Sequence, residues 1–258
     1  MIRIIINVFL IFFYLKIYSI NTVPPIVDLK VTTKNSIVII DAAHGGGEWG
    51  VNYRVVYEKD ITLKIAKLIK KKIENSASDI SVFLTRDNDE YKNPEDRVGL
   101  ANSKKADLFV SIHCDFIQNP AVSGYKVYVN SGEPLKELNT DMQIIEWKYI
   151  QRYHKDRSLK LAEYLYQYLK ASLINEDSKI TGNENDDILQ LDGRGIAETN
   201  LVYLTGLNMP AAVIEICNLN NNIDFEYLKN TQIVNSIAYH IKEGIINYLK
   251  FVNSQTGE

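Results

Sequence analysis

Cysteine is scarce in this chain: Cys114 and Cys217 are the two in 258 residues. Two thiols cannot staple a small disulfide scaffold, and they cannot supply a four-thiolate metal site. An excess of charge of one sign is missing as well. Lys and Arg number 29 against 32 Asp and Glu, a formal net charge of -3. The basic residues are scattered rather than gathered on one face, so there is no electrostatic footprint for nucleic acid. The Lys-rich stretch "KLIKKKIEN" reads as the solvated face of a helix. The apolar stretch at the N-terminus, twelve residues from Ile4 to Leu15 broken by Asn7, falls short of the roughly 20 needed to span a membrane. Internal repeats are absent, and histidine is rare, with four in the whole chain.

What remains is ordinary globular composition, 46% apolar and 24% charged, in a chain long enough for one domain with a real core. Residues 1–20, with Arg3 ahead of the apolar stretch and Lys16 behind it, suit a secretory signal peptide or an N-terminal anchor. Ile17-Tyr18-Ser19 is the nearest approach to a cleavage site, and no cysteine nearby offers lipid attachment. Export to the periplasm or cell envelope is the expectation. Residues 21–35, with Pro24 and Pro25, read as a linker, residues 36–252 as the domain and 253–258 as a tail.

Within the domain, "SIVIID" (36–41), "DISVFLTR" (79–86), "ADLFVSIH" (106–113), "GYKVYVN" (124–130) and "PAAVIEI" (210–216) are short β-branched runs typical of buried strands. Helical patterns alternate with them. "EKDITLKIAKLIKKKIEN" puts Ile61, Ile65, Leu68 and Ile69 on one face, with acidic residues first and lysines last, as the helix dipole favours. "PEDRVGLANSKK", "SLKLAEYLYQYLKASL" and "TQIVNSIAYHIKEGIINYLKF" follow suit. The alternation predicts a single α/β domain with a mainly parallel or mixed sheet flanked by helices. Residues 131–157 interrupt the rhythm, and residues 176–195, polar, acidic and Gly-bearing, read as a long surface loop.

Open α/β sheets bind ligands outside the carboxyl ends of their strands. "SIVIID" leads to His44, "ADLFVSIH" ends on His113 and "PAAVIEI" carries Glu215, while Glu58 opens the first helix just after a Gly-rich loop. Two histidines and a carboxylate are a common zinc set, and three ligands leave one position open, as catalytic sites do. Neutral imidazoles and one carboxylate leave a zinc ion net positive, able to polarise a carbonyl and bring a water's pKa to about 7. A further carboxylate outside the ligand set is then needed to move protons, and Glu215 is placed for that. His154 and His240 lie in helical, polar surroundings and read as structural.

The stretches "IVIIDAAHGGGEWG", "YEKDITLKIAKLI", "VFLTRDND", "DRVGLANSKKADLFVSIHCD" and "MPAAVIEICNLNN" resemble, in order, the motifs of the zinc-dependent N-acetylmuramoyl-L-alanine amidases of the type 3 family. The resemblance covers roughly residues 36 to 250. It implies a zinc hydrolase of the amide between N-acetylmuramate and L-alanine in peptidoglycan, with Zn2+ held by His44, Glu58 and His113 and with Glu215 catalytic. It also implies peptidoglycan as substrate, and small residues around His44 that let a metal and a bulky glycopeptide approach the backbone. Asp115, Arg97 and Arg194 are candidates for groups that stand behind the ligands or touch substrate.

Rival readings are a non-catalytic wall-binding module and a zinc peptidase acting on another amide. This chain departs from the family pattern at Ala43, where Gly is usual, at Asp115, where Asn is usual, and at Cys217 and Asn218, where Gly-Phe is usual. Ala43 is harmless if its φ is negative, whereas Asp115 adds negative charge beside the metal. Cys114 follows His113 on a strand, so its side chain is expected on the opposite face and not as a nucleophile. Both thiols lie within two residues of a site residue and are expected to be neighbours. Some relatives plug the zinc site with a helix until an activator protein removes it. Residues 131–157 occupy the corresponding place; in a plug, a carboxylate such as Glu133, Glu137 or Glu146 would fill the open position, whereas the shortness of the insert favours a surface helical extension.

Overall fold

The structure, a computed structural model, describes residues 35–132, 147–180 and 194–255. In chain order its elements are β1 (Ser36–Ala42), β2 (Asn52–Tyr53), β3 (Val56–Tyr57), α1 (Glu58–Glu74), β4 (Ile80–Leu84), α2 (Pro94–Ser103), β5 (Leu108–Asp115) and β6 (Lys126–Asn130). There follow α3 (Lys155–Ile180), β7 (Ile196–Thr199), β8 (Ala211–Asn218), α4 (Asn222–Lys229) and α5 (Thr231–Gln255). A tight helical stretch, Trp147–His154, leads directly into α3. Six strands form one sheet in the order β4-β1-β5-β8-β6-β7. The pairs from β4 to β8 are parallel, β6 runs antiparallel to β8, and β7 parallel to β6, so the sheet is mixed.

The alternation of side chains along each strand sorts the core into two layers. Val38 and Ile40 of β1 join Ile65 and Ile69 of α1, Leu161 and Leu165 of α3 and Ile241 and Ile245 of α5. Ile39, one residue out of phase, packs on the other face with Val98 of α2, Phe109 of β5, Leu204 and Met209. Because both faces are covered, β1 has to be apolar almost throughout, which is why "SIVIID" lacks a polar alternate until its end.

Asp41 is that end. It is 3% exposed, yet it accepts hydrogen bonds from Arg97 of α2, from Thr85 beyond β4 and from Ser111 of β5. Burial alone would raise its pKa, but the Arg97 charge and these three donors hold the carboxyl below its usual value. The network ties three neighbouring strands and a helix together just below the sheet's carboxyl edge.

Some elements were not visible in the pattern. β7 is four residues with two apolar side chains, and α4 is an eight-residue helix announced mainly by Asn221, whose side chain caps the backbone N–H groups of Ile223 and Asp224. β2 and β3 form a two-residue antiparallel pair inside the stretch read as a Gly-rich loop. α3 continues to Ile180, so the expected loop at 176–195 begins as helix, and α5 runs to Gln255, past the expected domain end at 252. Apolar periodicity marks where a helix is packed, not where its backbone stops. Residues 1–34 lie outside the described residues, as do Glu133, Glu137 and Glu146, on which the plug reading rests. Among the described residues no helix is long and apolar enough to cross a membrane.

α3 and α5 approach closely because Gly244 faces Leu165: a Cβ at Gly244 would stand 3.1 Å from the Leu165 Cα. Gly244→Val is therefore expected to lower the unfolding free energy by about 1–3 kcal/mol through overpacking. Gly244→Ala should cost less, since about 1 kcal/mol of helix propensity opposes the clash. Urea unfolding midpoints of the two variants test this. A second expectation follows from Asp41. A carboxyl held below its unfolded value contributes stability that is present above about pH 4 and is lost as pH falls through the folded value. Asp41→Asn should cost about 3–5 kcal/mol at neutral pH by leaving Arg97 buried and unpaired. It should also remove part of the acid-side loss, read from urea titrations between pH 3 and 7.

Candidate metal centre and active site

Beyond Ala42 the chain turns sharply over the sheet edge. Ala43 keeps an ordinary backbone, since it is not among the positive-φ residues, but His44 sits at φ 59, a left-handed conformation that a side-chain-bearing residue adopts only when its surroundings impose it. The imposing groups are two arginines. Arg86 donates from Nε to the Ala42 carbonyl (2.9 Å) and from Nη2 to the Ala43 carbonyl (2.9 Å). Arg97 donates from Nη1 to the Ala42 carbonyl (2.8 Å) and from Nη2 to the His44 carbonyl (2.9 Å). Three consecutive carbonyls are thus held. Arg97 is buried and faces the backbone, not a substrate surface, so it stands behind the site. Arg86, 1% exposed, was not singled out in the sequence, although it closes the strand in "VFLTRDND".

Two of the glycines after His44, Gly45 and Gly50, serve the protein's own packing. A Cβ at Gly45 would lie 2.1 Å from the Glu90 carbonyl oxygen, and one at Gly50 would lie 2.5 Å from both Glu58 Oε2 and His44 Cδ2. The expectation that this loop is small so as to admit a ligand is corrected for these two positions: they let the loop close on Glu90 and on the site residues themselves.

Around Glu58 the site assembles. Its carboxylate, 2% exposed, lies between the two histidines, with Oε2 3.1 Å from His44 Nε2 and Oε1 3.2 Å from His113 Nδ1. Backbone N–H groups hold it from behind: Val51 donates to Oε2 at 2.9 Å and Cys114 to Oε1 at 3.0 Å. One ligand atom from each of His44, Glu58 and His113 falls within 4.8 Å of the others, so the three could hold a metal ion. Burial opposes ionisation of Glu58, but hydrogen bonds from His113 and His44 keep its carboxyl well below the usual range. His113 responds in the opposite sense: burial would lower its pKa, and Glu58 with Glu215 raises it. Glu48 Oε1 lies 3.4 Å from His44 Nδ1, the ring nitrogen other than the one that meets Glu58, a place from which a carboxylate can orient an imidazole.

Glu215 is paired in register with His113 across β5 and β8. Its Oε2 is buried and has no protein partner. Burial and the negative charges of Asp115 and Glu58 push its carboxyl up to about 7, against the restraint of His113 and Arg194. Asp115 does not act as a bare extra charge, because Arg194 Nη1 pairs with its Oδ2 at 2.7 Å while Arg194 Nε donates to the Gly124 carbonyl. Tyr203, unnoticed in the sequence, lies against the His113 ring with centroids 5.4 Å apart, and burial raises its phenol well above the ordinary value.

The remaining candidates fall away from this cluster. His154 Nε2 is 2.9 Å from Asn208 Oδ1, and His240 Nδ1 is 2.9 Å from the Ser236 carbonyl. Cys114 and Cys217 are free and buried neighbours on the face of the sheet that packs against α1, α3 and α5. Burial pushes the Cys114 thiol well above its ordinary pKa, so it is no nucleophile.

Comparison with known proteins extends the likeness along the chain. The profile of the N-acetylmuramoyl-L-alanine amidases matches residues 38–247. The endolysin of Bacillus phage SPP1 is 28% identical over 223 residues, which cover 86% of this chain and 69% of the phage protein. The N-acetylmuramoyl-L-alanine amidase AmiA of Salmonella typhimurium is 26% identical over 234 residues, 88% of this chain and 80% of AmiA. The crystal structure of an N-acetylmuramoyl-L-alanine amidase from Clostridium difficile 630 shares the fold with a TM-score of 0.64 at 27% identity, covering 84% of this chain and 98% of that one. Likeness that runs from β1 into α5, through each of the residues that meet at Glu58, places this chain in the N-acetylmuramoyl-L-alanine amidase family.

Proposed function

We propose that this chain hydrolyses the amide between the lactyl group of N-acetylmuramate and L-alanine in peptidoglycan, with a zinc ion held by His44, Glu58 and His113 and with Glu215 as proton carrier. The observation that carries the reading is one carboxylate flanked by two imidazoles, its remaining lone pairs taken by backbone N–H groups, beside a second carboxylate with an unpartnered oxygen. The donor set fits zinc better than calcium or magnesium, which prefer all-oxygen sites. When bound there, zinc supplies a Lewis acid for the amide carbonyl and a lowered pKa for water.

The chain's own residues divide the rest of the work. Val51 N–H and Cys114 N–H fix the Glu58 carboxylate, Glu48 orients His44, and Tyr203 lies against His113. Glu215, with a carboxyl pushed up to about 7, is matched to accept a proton from the attacking water and return it to the leaving L-alanine nitrogen. No serine or cysteine nucleophile is required. Such a substrate lies outside the cytoplasm, in keeping with the reading of residues 1–20 as a signal or anchor.

Release of free muramoyl glycan and intact stem peptides from purified peptidoglycan tests the reaction and separates it from wall binding and from peptidase activity. Glu58→Ala should lose zinc affinity and be rescued at least partly by added metal. Glu215→Gln should still hold one zinc yet lose roughly 10² to 10⁴ in turnover, without rescue; a metal-free Glu215→Gln would make Glu215 a ligand instead. In the wild type kcat/KM should rise with pH as Glu215 gives up its proton, with the cation's charge pulling the midpoint below 7. Glu215→Gln should lack that limb.

A further inference from the structure

The loop that carries His44 also holds an indole ring in water. Trp49 is 53% exposed, although a large apolar face turned to solvent is a feature that usually marks a contact surface. The ring is not loose. It lies against Tyr57, with centroids 5.4 Å apart, and the backbone on either side of it is pinned. Gly45 and Glu48 exchange two backbone hydrogen bonds (2.9 and 3.0 Å), the Trp49 carbonyl accepts from Lys59 N, and the Val51 carbonyl accepts from Glu58 N at 2.8 Å. Farther back, Lys59 Nζ bridges Asp89 and the Gly46 carbonyl, and Asp89 accepts from Gly46 N. Trp49 is therefore a preorganised aromatic face, one residue from Glu48, which touches His44, and packed at a tilt of 58° against Tyr57, the residue that precedes Glu58.

From this we infer a sugar subsite: Trp49 is a stacking platform for a pyranose ring of the glycan strand, with Glu48 as the hydrogen-bond acceptor at its edge. The inference rests on the amidase reading above. A pyranose presents a face of C–H groups that packs flat on an aromatic ring without any charge, and its hydroxyl and acetamido N–H groups seek acceptors. The carboxylate of Glu48 is half-exposed and supplies one. The same carboxylate disfavours the alternative occupant, the stem peptide with its free carboxyl groups, because like charges at this distance repel. The peptide is thereby disfavoured at the Trp49 face. Because the platform is rigid before substrate arrives, little ordering cost opposes binding.

The test uses the full chain and a peptide-free glycan, a β-1,4-linked tetramer of N-acetylglucosamine. Titration should shift the emission of Trp49 saturably, and calorimetry should give a Kd that Trp49→Ala weakens by about tenfold or more. Trp49→Phe, which keeps an aromatic face, should fall between the two, whereas Tyr239→Ala, an exposed aromatic of α5, should bind like the wild type. On peptidoglycan, Trp49→Ala should raise KM by a similar factor while kcat at saturation stays close to that of the parent, because stacking remote from the reacting bond is uniform binding. Equal glycan affinity in wild type and Trp49→Ala overturns the subsite, as does absence of saturable glycan binding by an enzyme that cleaves peptidoglycan. A wild type that binds the tetramer through Trp49 but releases no stem peptide supports the subsite and overturns the amidase reading, so the two ideas fail separately.

Discussion

The site depends first on two buried guanidinium groups that bind main-chain oxygen. Arg86 and Arg97 together take the carbonyls of Ala42, Ala43 and His44, and Asp41 balances the charge of Arg97 from below. Without these donors the turn after β1 would leave the Ala42 and His44 carbonyls without a side-chain donor and the Ala43 carbonyl with Thr62 Oγ1 alone, each unpaired carbonyl costing of order 1–3 kcal/mol. With them, the backbone is over-determined, and His44 can be held in the left-handed region with its ring directed at Glu58. Asp41, Thr85, Ser111 and Arg97 come from four different segments, so the position of His44 is set by the packed sheet and not by the loop that contains it.

Much of this was legible in the sequence, and the reason is periodicity. Five of the six strands of the main sheet are short apolar runs, and the three central parallel ones, β1, β5 and β8, are buried on both faces and bring His44, His113 and Glu215 to one edge. What escaped notice lacks that signature. β7 has too few apolar residues to stand out, and Tyr203 reads as one more aromatic in a turn until the fold lays it against His113. Arg86 looks like the polar end of a strand, because sequence spacing gives no hint that its donors point inward to the Ala42 and Ala43 carbonyls, 44 and 43 residues away. Arg97 was picked out as a candidate, but its role at the backbone is decided by burial, which a single sequence does not display.

The glycines around His44 show the same difference between a correct signal and its cause. Their number suggested room for a ligand, and Gly47, with open space around it, remains compatible with that. Gly45 and Gly50 have a stricter reason: a Cβ at either would collide with the Glu90 carbonyl or with Glu58 and His44. Close approach of the loop to Glu90, Glu58 and His44 goes with the backbone hydrogen bonds between Gly45 and Glu48 and between Trp49 and Lys59, which hold this stretch beside His44.

Two glutamates a few ångströms from the same histidine, Glu58 and Glu215, end with opposite proton affinities, and the cause is what each can pair with. Both are buried, which by itself raises a carboxyl pKa. Glu58 is met by two imidazoles and two backbone N–H groups, so its ionised form prevails and it serves as a permanent anion. Glu215 has an oxygen with no protein partner and two like charges nearby, so its carboxyl rises to about 7. A group poised at neutrality can both accept and return a proton, whereas a group held far below it can do neither. The division of labour proposed for the two carboxylates therefore needs no difference in residue type. It follows from Glu58 standing at a helix start where N–H groups and histidines converge, and Glu215 on a central strand where they do not.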